Sequence, residues 1–350
     1  MMDPRTLEFV EEGCQGRLVS GNYKTFVRRV CIDSRLAKPG DLFVAIEGEK
    51  FNGHDYTKHA FDQGAVAALV NDSKVNREVV GAKVEVLETR KALGLLASYY
   101  RRDFDVPLIA VGGSNGKTTT KEILAKILSR RFRTLSSEAS FNNQIGVPLT
   151  LLRLREDHQV AIVEIGTNHP GEMKSLLSIA RPRFGVITSI GREHLEFFGG
   201  LEGVLLEEGF LAESLPEDGC LFVNGDIEGL EKLRERCCSK IITVGESSQS
   251  DWIISRIDTS NNETIFELIS PKGDWNGVYR VNLLGRHNAQ NAALAIAVAV
   301  EMGLSQEELL HGLEDCRAAS MRMELQTHGG VSVINDAYNS NPDSLQAALE

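Results

Sequence analysis

The sequence has no Cys-x-x-Cys pair, no apolar run long enough to cross a bilayer and no excess of positive charge. Its six cysteines, Cys14, Cys31, Cys220, Cys237, Cys238 and Cys316, are scattered. That spacing argues against a zinc site or a disulfide framework and for buried free thiols in a reducing cytosol. The longest apolar candidate, residues 292–300, is closed by Glu301 and falls short of a transmembrane span. Met1-Met2-Asp3-Pro4-Arg5 opens no apolar run, so no secretory leader is expected and the location is read as cytoplasmic. A formal net charge of −11 excludes a general binder of nucleic acid or anionic membranes. It leaves room for a local anion site. There is no internal repeat and no low-complexity tract. The 350 residues are enough for two or three globular domains.

Against these absences stands one dense motif, Gly113-Ser114-Asn115-Gly116-Lys117-Thr118-Thr119-Thr120. It follows an apolar run, 107–111, and precedes a helix-like run, 121–128. Strand, glycine loop and helix are the context of a phosphate-binding loop. Glycines let backbone N–H groups turn toward one anion, and the helix N-terminus adds its positive dipole end. Lys117 can reach the β- and γ-phosphates and Thr118 can ligate Mg²⁺. The strict eight-residue pattern needs glycine at 111, where this chain has Val111.

The organisation reads as α/β throughout. Residues 1–104 form a small α/β domain, with strands at 41–46 and 65–70 and helices at 56–63 and 91–100. Residues 105–317 alternate strand and helix, which predicts a doubly wound, mostly parallel sheet. Its strands are expected at 107–112, 159–165, 184–189, 220–224 and 240–244. The stretch 252–283 predicts an antiparallel excursion, and helices follow at 287–302 and 305–314. From 318 a third segment begins, with a strand at 331–334 and a helix from 344. A strand and an uncapped helix cannot make a core, so the chain is expected to be truncated inside a Rossmann-like C-terminal domain.

Other polar residues fall where such a sheet places ligands. Glu164 ends a strand, and carboxyl ends of strands face the ligand crevice. His194 follows the strand at 184–188, although a lone His there is more often packing or surface. Asn142 and Asn143 lie in a loop, where an Asx turn is the favoured reading. Glu207 and Glu208 lie on a helix and read as a solvated face. Asn288 and Asn291, three apart, share a helix face; helix capping accounts for one of them, and a purine edge could occupy both.

These motifs together resemble the Mur ligase family, the ATP-dependent amide ligases of peptidoglycan precursor synthesis. The resemblance runs through Asp33-Ser34-Arg35, Pro39 to Ala45, Gly53-His54-Asp55 and the loop with its Lys121-Glu122 tail. It continues through Asn142 to Pro148, Glu164, His194-Leu195-Glu196, His287-Asn288 with Asn291, Arg322 and Asp336 to Pro342. It implies a ligase joining D-alanyl-D-alanine to a UDP-MurNAc-tripeptide through an acyl phosphate, with ATP and Mg²⁺, acting as a monomer. By resemblance, Gly113, Ser114, Asn115, Gly116, Lys117, Thr118 and Thr119 cradle the triphosphate. Thr118, Glu164 and His194 hold metal. Asn288 and Asn291 contact adenine, Asp336 the ribose, and Arg322 approaches the γ-phosphate. Ser34, Arg35, Asn142 and Asn143 lie on the substrate side, with 1–104 as the UDP-binding domain. Glu208 falls where family members carry a carbamylated lysine, and would supply that negative charge permanently. Another ligase of the family, a folylpolyglutamate synthetase, a nucleotide switch without an amine acceptor, and a nucleotide-binding scaffold remain the alternatives.

Overall fold

The computed structural model describes residues 1–71, 73–74, 80–260 and 262–349. The chain divides into two compact units, Met1–Asp105 with Asn143–His158, and Val106–Asn142 with Gln159–Glu350.

The second unit is built on nine strands: β1 (Leu108–Gly112), β2 (Thr134–Ser136), β3 (Val160–Glu164), β4 (Phe184–Ile187), β5 (Cys220–Asn224), β6 (Lys240–Gly245), β7 (Trp252–Ser260), β8 (Glu263–Ile269) and β9 (Gly277–Val281). Their order is β9-β8-β7-β6-β5-β4-β1-β3-β2. Strands β2 to β7 pair in parallel, and β8 and β9 add antiparallel. The predicted excursion is thus an extension of the same sheet, because Val244 and Gly245 pair with Trp252 and Ile253 before the chain reverses. Every residue of β1 and β3 is buried. Continuous apolar runs of this kind suit strands covered on both faces.

Five helices matter for the site: α1 (Lys117–Leu128), α2 (Glu172–Ala180), α3 (Leu201–Ser214), α4 (His287–Glu301) and α5 (Pro342–Leu349). Ile109 and Val111 join one apolar cluster with α1 and α4. Gly112, next in the strand and so on the opposite face, looks toward Met173 of α2 and Glu208 and Leu211 of α3. Helices therefore cover both faces. Strand order reverses around β1, between β3 and β4, which opens a crevice at the carboxyl ends of these strands.

The apolar stretch at 292–300 belongs to α4, which is buried on every side from Ala292 to Ala299. Among the described residues no helix is long and apolar enough to cross a membrane. The strand at 331–334 is half of a hairpin: Glu324–His328 pairs antiparallel with Val331–Asn335, around Gly329 and Gly330, both at positive φ. Cys14, Cys31, Cys220 and Cys316 are buried free thiols as expected, whereas Cys237 is half-buried and Cys238 exposed.

In the first unit a five-stranded sheet runs Arg17–Ser20, Ala82–Val86, Ala67–Asn71, Asp41–Val44, Arg29–Cys31. Only its first pairing is antiparallel. The segment 143–158 carries a short helix, Gly146–Leu151. Tyr100 fastens it to this unit: its buried hydroxyl donates to the Leu154 carbonyl at 2.7 Å and accepts from Asp3 N at 2.8 Å.

Candidate functional site

The loop between β1 and α1 turns on two glycines in the left-handed region, Gly113 (φ 112°) and Gly116 (φ 86°). A Cβ on Gly113 would lie 2.4 Å from Thr188 Oγ1, and one on Gly116 would lie 2.4 Å from Asn291 Oδ1. Conformation and space both demand glycine there. Val111 needs no such freedom, since it is still inside β1. The loop amides are not all turned toward one point. Gly113 N donates to Glu208 Oε2 at 2.7 Å, Ser114 N to Ser189 O at 2.9 Å, and Asn115 N to Ser189 Oγ at 2.8 Å. The expected anion cradle is therefore narrower than the motif suggests, because the chain after β4 packs onto the loop. The first α1 bond runs from Thr120 N to Gly116 O, so the amides of Lys117, Thr118 and Thr119 precede it and form the helix-end donor set. Lys117 Nζ donates to Gly113 O and Ser114 O, and Glu193 Oε2 lies 3.6 Å away.

Glu164, at the end of β3, comes to the same place. Its Oε1 accepts from Thr118 Oγ1 at 3.2 Å and from Asn142 Nδ2 at 2.9 Å. Its Oε2 is buried and has no hydrogen-bond partner; the nearest cation is Lys121 Nζ at 4.0 Å. Ser140 Oγ lies 3.5 Å from Thr118 Oγ1 and accepts from Arg322 Nη2 at 3.5 Å, which brings Arg322 toward the loop. The Arg322 guanidinium also sits 4.1 Å above the Tyr338 ring. Lys121 and Ser140 are site residues that the motif reading missed. Lys121 could have been suspected because, four residues after Lys117, it shares its helix face.

The two helix glutamates are not a solvated face. Glu207 and Glu208 are both buried, since α3 packs against α2 and against β1. Glu207 accepts from Gly171 N and Met173 N, each at 2.8 Å, at the start of α2. Glu208 turns to the phosphate loop, and burial pushes its carboxyl up to about 8 against the opposing pull of Lys117. Glu193 is raised in the same direction by burial. His194, in the left-handed region at φ 49°, lies beside Glu193; among the described residues no hydrogen bond or ion pair joins it to Glu164. Nor is any group of three or more His, Cys, Asp or Glu side chains arranged there to hold a metal ion.

Asn288 and Asn291 do share a face, and neither caps α4. Asn288 Nδ2 donates to Leu284 O, Asn291 Nδ2 donates to Asn288 Oδ1, and Asn291 Oδ1 accepts from Thr120 Oγ1. The pair clamps α4 to α1 beside Gly116. Asp336 Oδ1 accepts from Met323 N; its charge partly opposes the desolvation that lowers the pKa of the half-buried His287. Asn341 donates from Nδ2 to Asn115 Oδ1 at 2.8 Å, and Asp343 pairs with Arg192 at 2.6 Å.

The remaining predicted residues lie in the first unit. Ser34 is buried, its Oγ 3.1 Å from His59 Nδ1. Arg35 is exposed and pairs with Asp33, holding that carboxyl at about 2. Asn143 Oδ1 accepts from Ile145 N and Gly146 N, both at 3.0 Å, which is the Asx turn its sequence favours; Asn142 instead reaches Glu164.

Residues 111–299 match the Mur ligase middle domain, and residues 27–101 match the Mur ligase family catalytic domain. The chain belongs to the Mur ligase family. This Mur ligase is 35% identical over 351 residues to the UDP-N-acetylmuramoyl-tripeptide–D-alanyl-D-alanine ligase of Bacillus subtilis (strain 168), covering 100% of this chain and 75% of that protein. It is 34% identical to the enzyme of the same name from Escherichia coli (strain K12), over 92% of this chain and 71% of that protein. Among solved structures, MurF from Acinetobacter baumannii superposes with a TM-score of 0.89 at 33% identity, over 99% of this chain and 76% of that one.

Proposed function

We propose that this Mur ligase uses ATP to join D-alanyl-D-alanine to a UDP-N-acetylmuramoyl-tripeptide in the cytoplasm. The observation that carries this reading is the likeness to ligases of that name over 100% of this chain and 75% of the Bacillus subtilis protein, in a chain whose phosphate loop binds Thr118 to Glu164. Amide formation from carboxylate and amine is uphill in water, so the carboxylate must be activated. A carboxylate oxygen of the tripeptide attacks the γ-phosphorus, the bond to the β-phosphate oxygen breaks, and ADP leaves. The dipeptide amine then attacks the acyl carbon, phosphate departs, and the amine gives up a proton.

The residues divide this work by placement. Lys117 leaves the Gly113 and Ser114 carbonyls for the triphosphate, which the amides of 117–119 receive. Arg322 approaches the γ-phosphate from the Ser140 side. Asp336 takes the ribose. Asn288 and Asn291 would contact adenine through the amide hydrogens and lone pairs that their present bonds leave over. Glu164 suits Mg²⁺: it has a buried, unpartnered Oε2 and the Thr118 hydroxyl at its other oxygen, a set of hard oxygen donors. Bound Mg²⁺ supplies charge neutralisation for phosphoryl transfer. Thr118 and Glu164 would hold it, with His194 serving a second ion. Glu208 stands where the carbamate would be: burial holds its proton near neutral pH, and it would become the anion beside the loop on losing that proton to a bound cation, with no need of bicarbonate. Ser34 and Arg35 take the UDP end, with Asn142 and Asn143 on the substrate side.

The test is phosphate release by the full chain. Release is expected only when ATP, UDP-MurNAc-tripeptide and D-alanyl-D-alanine are all present. Equal release without the dipeptide would make the protein a nucleotide hydrolase, and release with a free amino acid in its place would move it to another branch of the family.

A further inference from the structure

Lys121 is fully buried. A lysine rarely reaches that state unless its charge is paired and hydrogen-bonded. Its Nζ donates to the Ser137 carbonyl at 2.9 Å and the Ala139 carbonyl at 2.7 Å, pairs with Glu122 Oε1 at 2.8 Å, and lies 4.0 Å from the free Glu164 Oε2. The segment it grips is under strain, because Ala139 has φ 45°, a left-handed conformation that costs a residue with a Cβ. The same short segment carries three contacts to the loop and to Glu164. Ser137 Oγ accepts from Glu164 N at 3.1 Å, Ser140 reaches Thr118 and Arg322, and Asn142 donates to Glu164.

We propose that Lys121 is a positioning residue for phosphoryl transfer: its ammonium pins residues 137–139 in their strained turn and so fixes Ser140, Asn142 and Glu164 around Thr118. This role rests on the function proposed above. Lys121 touches no substrate atom in it. One turn beyond Lys117 on α1, it acts through the segment it holds, so that one helix carries both the phosphate-facing lysine and the tether.

The experiment compares Lys121→Met with the parent in the full chain, by amide hydrogen exchange and by steady-state phosphate release with all three substrates. Exchange at residues 138–142 is expected to quicken at least tenfold while β1 and α4 are unchanged. kcat is expected to fall at least tenfold, with the KM values for ATP and the UDP-tripeptide moving less than threefold. On an Ala139→Gly background, where the left-handed turn holds without a tether, both losses are expected to shrink at least threefold. If Lys121→Met does not fold, Lys121→Gln, whose uncharged amide ends one bond short of the ammonium and so cannot hold both carbonyls, is measured in its place with the same expectations. A folded variant whose exchange and kcat both stay within twofold of the parent overturns the proposal. Quickened exchange with unchanged kcat also overturns it, since the segment would then not serve the reaction. If the parent releases no phosphate with all three substrates, the functional reading fails by itself; exchange then decides whether Lys121 pins the turn.

Discussion

The N-termini of α1 and α2 invite comparison because their backbones start alike. Each helix follows a central strand of the sheet, and each begins after a left-handed glycine: Gly116 at φ 86°, ψ −7°, and Gly171 at φ 87°, ψ −7°. Each therefore presents unbonded amides and a positive dipole end toward the same crevice edge. At α2 the protein fills that place itself, with both oxygens of Glu207 bonded to backbone amides. At α1 the next residue of the same helix, Glu208, stops at Gly113, short of the first turn. The anion for one helix is covalently part of the chain; the anion for the other has to arrive. A helix end becomes a binding site when the fold withholds the internal carboxylate that would otherwise satisfy it.

The strongest way to break this comparison is Lys117→Ala. If α1 is the open end, kcat/KM for ligation should fall about a thousandfold, about 4 kcal/mol of transition-state stabilisation, with the melting temperature almost unmoved. A ligation rate equal to that of the parent would show that the anion is bound elsewhere. Next comes a paired test of the two glycines. Alanine at either costs about 1 kcal/mol for the left-handed backbone, but at 116 the Cβ also collides with Asn291, whereas nothing lies within 4 Å at 171. Gly116→Ala should lose about 3 kcal/mol and nucleotide binding, and Gly171→Ala about 1 kcal/mol and no binding. Urea unfolding and nucleotide titration of both variants check this; equal losses would remove the distinction.

The two glutamates sharpen it further. A buried carboxyl near 8, against 4.5 in the unfolded chain, keeps its proton longer when folded. Its contribution is therefore complete below about 4.5 and is lost as pH rises toward about 8. Glu208→Gln should flatten that decline in melts from pH 5 to 9 and, by removing the carboxyl that a bound cation would ionise, cut ligation about tenfold. Normal ligation in the variant would leave Glu208 as a loop anchor only. The smallest effect belongs to Glu207→Gln, which keeps one acceptor oxygen and loses the other. It should cost about 1–2 kcal/mol of stability and leave ligation by the folded fraction unchanged.

Much of this was legible in the residues. The strand, glycine loop and α1 follow from apolar runs flanking Gly113 and Gly116, and Glu164 follows from its place at a strand end. Burial of polar groups was not legible. Lys121, Glu207 and Glu208 look like exposed helix charges, because periodicity reports which face is apolar and not which charges the fold encloses. Asn288 and Asn291 were seen as a pair, but their partner, Thr120, lies 171 positions away. The hairpin at 324–335 had a local signal in Gly329-Gly330, and its first strand went unread. The edge strand β2 has only three residues, too few for alternation to register.

Helix α4 is enclosed on all sides from Ala292 to Ala299, and the amide protons of that stretch should exchange only when the whole unit unfolds. The phosphate loop is stitched to that helix through Asn291, which bonds Thr120 and fills the space beside Gly116. A loop fastened to the slowest-opening part of the molecule has little conformational entropy left to lose when a triphosphate arrives. Its affinity should then depend weakly on temperature-driven loosening elsewhere, and should vanish abruptly, together with the fold, rather than fade ahead of it.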